Sequence, residues 1–336
     1  RDIRVGTTLF MRTYHVRSEG EYKRRMMKKK KVMHHTAIGW NSFEESAKNF
    51  RYIYKQLKER GVVLDRFGMC LDWIMGVPED MRDRVTPGTG LILNSEEEWR
   101  ACGQIVPIQP HFGDHMIALK AGATTIGNIA QYYTYEYPGG LMSKKDRVIN
   151  MAVAIGIMAR FNDHDTLIHS NLDDGFGAMF HDLANLTGWA ILERYIVENL
   201  LGARLSHCFG NLFTDPIMRI VFLMAMDEIN TKHSLGSMIY GSTTDYTGDY
   251  DRNYGSLSSF VLADTCGQLL FPTGHAVTPI PITEAVRIPS PDEIIQVHVT
   301  ANMLEEKAKH YAPFLNVEKM TTFKNRLVAG GRLFFE

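Results

Sequence analysis

At five places in the chain a histidine stands at or just beyond the end of a short apolar run: His34–His35, His111, His169, His207 and His275. Around them gather neutral hydrogen-bonding groups, namely Gln109, Asn128, Gln131, Asn171, Asn211, Thr243 and Thr273, together with Tyr133 and Tyr137. Such types can move protons, hold a metal or grip a polar ligand. A metal reading meets two obstacles. Adjacent strand residues face opposite ways, so His34 and His35 cannot both serve one site, and the chain has no His-x-His pair and no His-Glu-x-x-His helix. A single histidine at such a place is more often a hydrogen-bonded core residue than a ligand. Their shared placement at strand ends is what points to a site.

Other chemistries lack their signatures. There is no Walker loop, no G-x-S-x-G, and no lysine on or at the end of a strand-like run. Glycines recur near the candidate residues, at Gly175, Gly177, Gly210 and Gly274. They let backbone approach a flat ligand closely, or simply make turns. A large, mostly apolar, hydrogen-bonding cofactor fits this mixture better than a metal does.

The elements that must carry these residues alternate. Val32–Gly39 reads as a strand, and a helix capped by Asn41 or Ser42 runs to Glu59 with apolar residues at Phe50, Ile53, Tyr54 and Leu57. Further strands are expected at Val62–Leu71, Ile105–Gln109, Ala123–Ile126, Thr166–His169, Ala203–Cys208, Ser237–Tyr240 and Gln268–Phe271. Helices follow them around Glu96–Cys102, Asp114–Ala121, Lys144–Phe161, up to Leu201, from Pro216, over Tyr254–Asp264 and from Pro291 to His310. Eight strand-then-helix units imply a parallel α/β sheet closed into a (β/α)8 TIM barrel, with the chemistry on loops after the strands. An open doubly wound sheet is the runner-up, and it lacks a G-x-G-x-x-G after an early strand. The expected division is an N-terminal arm over 1–30, a catalytic barrel over 31–312 and a C-terminal extension over 313–336. Lys28–Lys31 reads as a solvated helix end.

Composition narrows the partners. The chain of 336 residues is 45% hydrophobic and 22% charged, with 37 basic against 38 acidic residues and a formal net charge of -1. Neither nucleic acid nor a membrane surface is expected as partner. No apolar run approaches the roughly 18–20 residues of a membrane span. Cys70, Cys102, Cys208 and Cys266 stand far apart with no C-x-x-C pair, which fits a reducing cytoplasm. The chain begins with Arg1 and stops at Leu333-Phe-Phe-Glu336, and both ends read as cuts in a longer polypeptide.

Five stretches, in order, resemble the large catalytic subunit of adenosylcobalamin-dependent glutamate mutase (methylaspartate mutase). They are Lys29–Gly39, with its lysine run before the strand; Pro107-Ile-Gln109 followed by His111; Gly127-Asn128 and the tyrosine-rich segment after it; His207–Asp215, which holds Gly-Asn-x-x-x-Asp; and His275–Ala285. The resemblance runs from about residue 25 to 310, and each string alone is weak. It implies a barrel that works with adenosylcobalamin, where a radical formed by cobalt–carbon homolysis abstracts a substrate hydrogen and later returns it. On that reading Gln109, His111, Asn128, Tyr133 and Tyr137 contact the substrate. His169, Asn171, Gly210, Asn211, Thr243, Thr273 and His275 contact the cofactor, and no metal ligands are assigned.

The departures are informative. The family's substrate-gripping arginines fall at Ala37, near Trp73–Met75, and at His111. Its glutamate for the substrate amine falls at Asn128, and the lysine and glutamate of its eighth loop fall near Pro272 and Ala276. Histidine and alanine cannot replace a bidentate arginine, so a small substrate other than glutamate is expected. The cobalt-binding string Asp-x-His-x-x-Gly is missing, which assigns cobalamin to a separate small subunit or domain. The expectation is therefore a cytoplasmic carbon-skeleton mutase, with a homodimer of barrels as its assembly. A metal-dependent hydrolase or lyase on the same barrel is one alternative, and a non-catalytic subunit that docks a corrinoid protein is another.

Overall fold

The computed structural model describes residues 9–37, 40, 43–69, 85–87, 119, 124–127, 129, 143–173 and 175–335. The expected third strand Ile105–Gln109 and the helices around 96–102 and 114–121 lie outside these residues. Helices α1 (Leu9–Tyr14) and α2 (Glu19–Lys28) come first; Ser18 caps α2 by accepting from Glu21 N–H. Lys28–Lys30 are exposed where α2 ends, the solvated helix end expected from the basic run.

Among the described residues, eight parallel strands follow: β1 Met33–Ala37, β2 Arg66–Met69, β3 Val85–Pro87, β4 Thr125–Ile126, β5 Leu167–Asn171, β6 Leu205–Cys208, β7 Met238–Tyr240 and β8 Ala276–Thr278. They form a five-stranded sheet, β3-β2-β1-β8-β7, and a three-stranded sheet, β4-β5-β6. A parallel bridge between Phe209 and Ile239 joins β6 to β7. Alternation of strands with helices forces parallel pairing, because each crossover returns the chain to the same edge. The protein is thus a mixed α/β structure with parallel sheets.

The helices read from sequence form for the expected reasons. In α3 (Phe43–Glu59), Phe50, Ile53 and Leu57 share one stripe and are fully buried. The Phe50 ring lies 4.2 Å from that of Phe67 on β2, and each such side chain contributes about 1.5–3 kcal/mol on burial. Ser143 caps α4 (Lys144–Ala159), and Asp182 caps α5 (Leu183–Arg194), which runs into a π-helical turn at Tyr195–Leu200. Asp215 caps α6 (Pro216–Glu228), whose first residue is proline. Helix α7 (Tyr250–Leu270) precedes α8 (Pro291–Tyr311), which starts with a Ser290/Glu293 capping box. Helix α9 (Val317–Phe335) packs on α5 and α6.

One strand expectation needs correction, and one strand was missed. Gln268–Phe271 is not the eighth strand: its first three residues are the last turn of α7, where Leu257, Phe260, Val261 and Cys266 continue a helical burial stripe. Phe271 N–H still bonds Gly267 C=O, and Gly274 at φ +82° then turns the chain into β8. A short apolar run is ambiguous between helix and strand, and here the periodicity upstream decides. Val85–Pro87, a strand beside β2, was not expected from sequence.

Parallel partners share a face, so the register sorts the side chains. His35 stands level with Arg66, and Tyr240 with Thr278. These, with Thr125, Leu167, His169, Asn171, Ser206, Cys208, Met238 and Ala276, form the inner face. His34, Phe67, Ile126, Ile168, Ser170, His207, Ile239 and Val277 look outward to the helices.

Candidate functional site

The inner face begins at the N-terminal edge of the strands, where α2 lays Glu19 and Lys23 one turn apart. Glu19 Oε1 is 2.6 Å from Arg66 Nε and 3.4 Å from Lys23 Nζ. Its other oxygen accepts from Thr124 at 2.8 Å and Thr125 at 3.3 Å. Lys23 donates to Gly236 C=O at 2.8 Å, and Arg66 Nη1 donates to Ser237 C=O at 2.6 Å. Burial alone would raise the Glu19 carboxyl, but Arg66 and Lys23 outweigh it and hold it lowered. Burial, reinforced by Arg66, brings Lys23 down to about 8. Buried charges persist only when partnered this closely.

One layer further along the strands, the hydroxyl of Ser237 bonds His169 Nδ1 at 2.6 Å, and His169 Nε2 bonds Asn171 Oδ1 at 2.6 Å. Burial first of all lowers the His169 imidazole to about 3. The ring is therefore neutral, with Nε2–H donating to Asn171 and Nδ1 accepting from Ser237. Beside it, His35 Nδ1 meets Thr278 Oγ1 at 3.1 Å. Burial, then Arg66, holds His35 well below the ordinary imidazole range. His34 turns the other way, with Nε2 at 3.4 Å from Glu305 of α8 and its ring 6.3 Å from that of His298. The two adjacent histidines do serve different faces.

At the C-terminal edges of β5, β6 and β7 stand Asn171, Asn211 and Thr243. Asn211 C=O accepts from Ser242 Oγ at 2.8 Å, and Thr243 C=O from Tyr246 N–H at 3.0 Å. Gly210 sits between them at φ +115°, and a Cβ there would lie 2.4 Å from Tyr240 C=O. Its N–H goes to Asp173 and its C=O to Arg219, so Gly210 makes the turn and leaves no backbone group for a ligand. Arg219 also binds Asp264 with two nitrogens, at 2.8 and 2.6 Å.

Two expected contacts lie at the wrong edge. Because β8 is Ala276–Thr278, Thr273 and His275 precede it and belong to the N-terminal edge of the strands. Both ring nitrogens of His275 are taken, Nδ1 by Thr273 Oγ1 at 2.6 Å and Nε2 by His207 C=O at 3.0 Å. His207 itself faces outward, to Glu193 of α5 at 3.1 Å. His34, His35, His169 and His207 are interior strand positions rather than strand ends. The structure thus brings Asn171, Asn211 and Thr243 to one edge, places His169 behind Asn171, and removes Thr273 and His275 from the group. Gln109, His111, Asn128, Tyr133 and Tyr137 lie outside the described residues.

Glu284 was missed. It follows β8 at the same edge as Asn171, half-buried, and burial raises its carboxyl to about 7. Burial and then Glu284 raise the phenol of Tyr246, whose hydroxyl donates to Ile280 C=O at 2.9 Å. Glu284 is the sole acid or base, histidine aside, between Gln268 and Val286, and a lone carboxyl in an apolar proline-rich loop is the signal that could have found it.

Among the described residues, no three His, Cys, Asp or Glu side chains are grouped so as to hold a metal ion, and no helix is long and apolar enough to cross a membrane. Compared with models of known families and with curated proteins, the chain finds no match.

Proposed function

We propose that the eight strands close into a (β/α)8 barrel through the edges of β3 and β4. We propose further that its C-terminal edge is the catalytic face of an adenosylcobalamin-dependent, mutase-like isomerase, acting by radical rearrangement on a small substrate other than glutamate. The cofactor arrives on a small subunit or domain carrying Asp-x-His-x-x-Gly. One observation carries the reading most: the inner face holds many polar side chains. Where a barrel of this kind usually packs Val, Ile and Leu, this chain places His35, Arg66, Thr125, His169, Asn171, Ser206 and Thr278, nearly all buried. A polar enclosed interior suits a substrate that must be held by hydrogen bonds and kept from bulk water.

The residues present fit a large hydrogen-bonding cofactor at this edge. Asn171, Asn211 and Thr243 are neutral and at least partly exposed along three neighbouring strands, and they would hold it. When bound, the cofactor supplies the carbon radical that removes a substrate hydrogen. The chain's own work is binding and orientation. Ser237 fixes the His169 tautomer, and His169 in turn fixes the Asn171 amide with its oxygen inward. Glu284 holds or releases a proton near neutrality at the same edge. Gln109, His111, Asn128, Tyr133 and Tyr137 are the proposed substrate contacts.

Titration of adenosylcobalamin into this chain, the candidate small subunit and their mixture tests the reading. Stoichiometric retention by the small subunit and by the mixture, in which this chain co-elutes with the cofactor, but not by this chain alone, is expected. Stoichiometric zinc or iron in the purified chain, with no cobalamin retained, would sink it.

A further inference from the structure

We infer that His35 is a specificity-determining residue of the interior, whose Nε2 hydrogen-bonds an acceptor oxygen of the ligand. The inference rests on the reading of the interior as a ligand chamber. Register places His35 on the inner face, level with Arg66 on β2. Nδ1 is engaged by Thr278. Nε2 is fully buried, in a residue only 1% exposed, and has no hydrogen-bond partner among the described residues. A buried ring nitrogen left unpaired costs about 1–3 kcal/mol, and its neighbour His34 shows that an imidazole on the outer side of β1 finds a carboxylate. The next inner position along β2 is Gly68, level with Ala37 and without a side chain.

The chemistry of the missing partner follows from the field. Arg66 and Lys23 both bear on His35 and disfavour its protonation. Among the described residues, Arg66 and Lys23 meet the carboxylate of Glu19, and Asp165 acts on Lys23 as well. A positive surrounding favours an oxygen that accepts, and in the tautomer whose Nδ1 accepts from the Thr278 hydroxyl the proton lies on Nε2 to be given. A carboxylate and a neutral carbonyl share this chemistry.

Acetate and acetamide, two fragments of nearly equal size, separate them. Histidine-labelled protein is titrated with each, and side-chain 15N spectra follow the imidazole signal absent from His35→Gln. Movement of that signal is expected, with binding about five- to tenfold weaker in His35→Phe, the usual worth of one neutral hydrogen bond. Acetate alone moving it identifies a carboxylate, and acetamide moving it equally identifies a neutral carbonyl. Binding by both variants as tight as wild type, or an unmoved His35 signal at saturation, overturns the assignment. His35→Gln, which keeps a donor of similar reach, controls for a fold lost in His35→Phe. The titration needs neither cobalamin nor turnover, so its failure and that of the mutase reading are told apart.

Discussion

Replacing His298 by leucine should stabilise the protein, and more so in acid. His298 lies on α8 with no exposed surface, and both of its ring nitrogens lack a hydrogen-bond partner. The nearest ring is His34, 6.3 Å away. A polar group buried without a partner costs about 1–3 kcal/mol, and an apolar side chain of similar size removes that cost. Burial, and then His34, bring the imidazole down to about 3. The unfolded chain therefore takes up a proton below about pH 6.5 that the folded state refuses. For a depressed group, stability is fully present above the unfolded value and is lost as pH falls toward the folded one. Between pH 7.5 and 5.5 the loss is about 1.4 kcal/mol. Urea unfolding of wild type and His298→Leu at both pH values gives the two gaps directly. The variant should be about 1–3 kcal/mol more stable at pH 7.5, and the gap should widen by about 1.4 kcal/mol at pH 5.5. A less stable variant, or a gap unchanged by pH, refutes the reasoning.

Other perturbations test the site's scaffold. Arg219→Met strands the buried Asp264 carboxylate and takes the donor from Gly210, Phe213 and Tyr240 C=O. It should cost about 3–5 kcal/mol, and adding Asp264→Leu should recover part of that in the same urea assay. Gly210→Ala forces a side chain onto φ +115° and should lose about 1–3 kcal/mol from backbone strain alone; a neutral result would remove the close approach to Tyr240 from the account. Glu284→Gln tests the raised carboxyl. Because its folded value of about 7 exceeds the unfolded one, its stability contribution is present at low pH and fades as pH rises through 7. The variant should gain on wild type between pH 5 and 8, and a constant difference would contradict the burial argument.

Much of the scaffold was legible because local chemistry repeats the tertiary demand. The helices read to begin at Lys144, Pro216 and Pro291 begin there, and the stripe at Phe50, Ile53 and Leu57 faces β2. Strands in parallel sheets are buried on both sides and show no alternation, so their ends were poorly fixed. That is why the run at Gln268–Leu270 passed for β8 and why Thr273 and His275 were placed at the wrong edge. The clustering of histidines near strand ends was real in sequence, but its meaning was not. In parallel register His35 and His169 go inward, while His34 and His207 go outward to Glu305 and Glu193. Partners that distant in sequence leave no local trace. Glu284 was overlooked because attention followed the histidines rather than an isolated acid in an apolar loop.

The central claim is most directly tested by isotope transfer. The chain, the proposed small subunit and adenosylcobalamin deuterated at the cobalt-bound carbon are incubated with a deproteinised small-molecule extract, and mass spectrometry follows the deuterium. The account predicts label in one small compound and in an isomer of the same mass. Retention of all deuterium in the cofactor, while the extract's components still turn over, would contradict it.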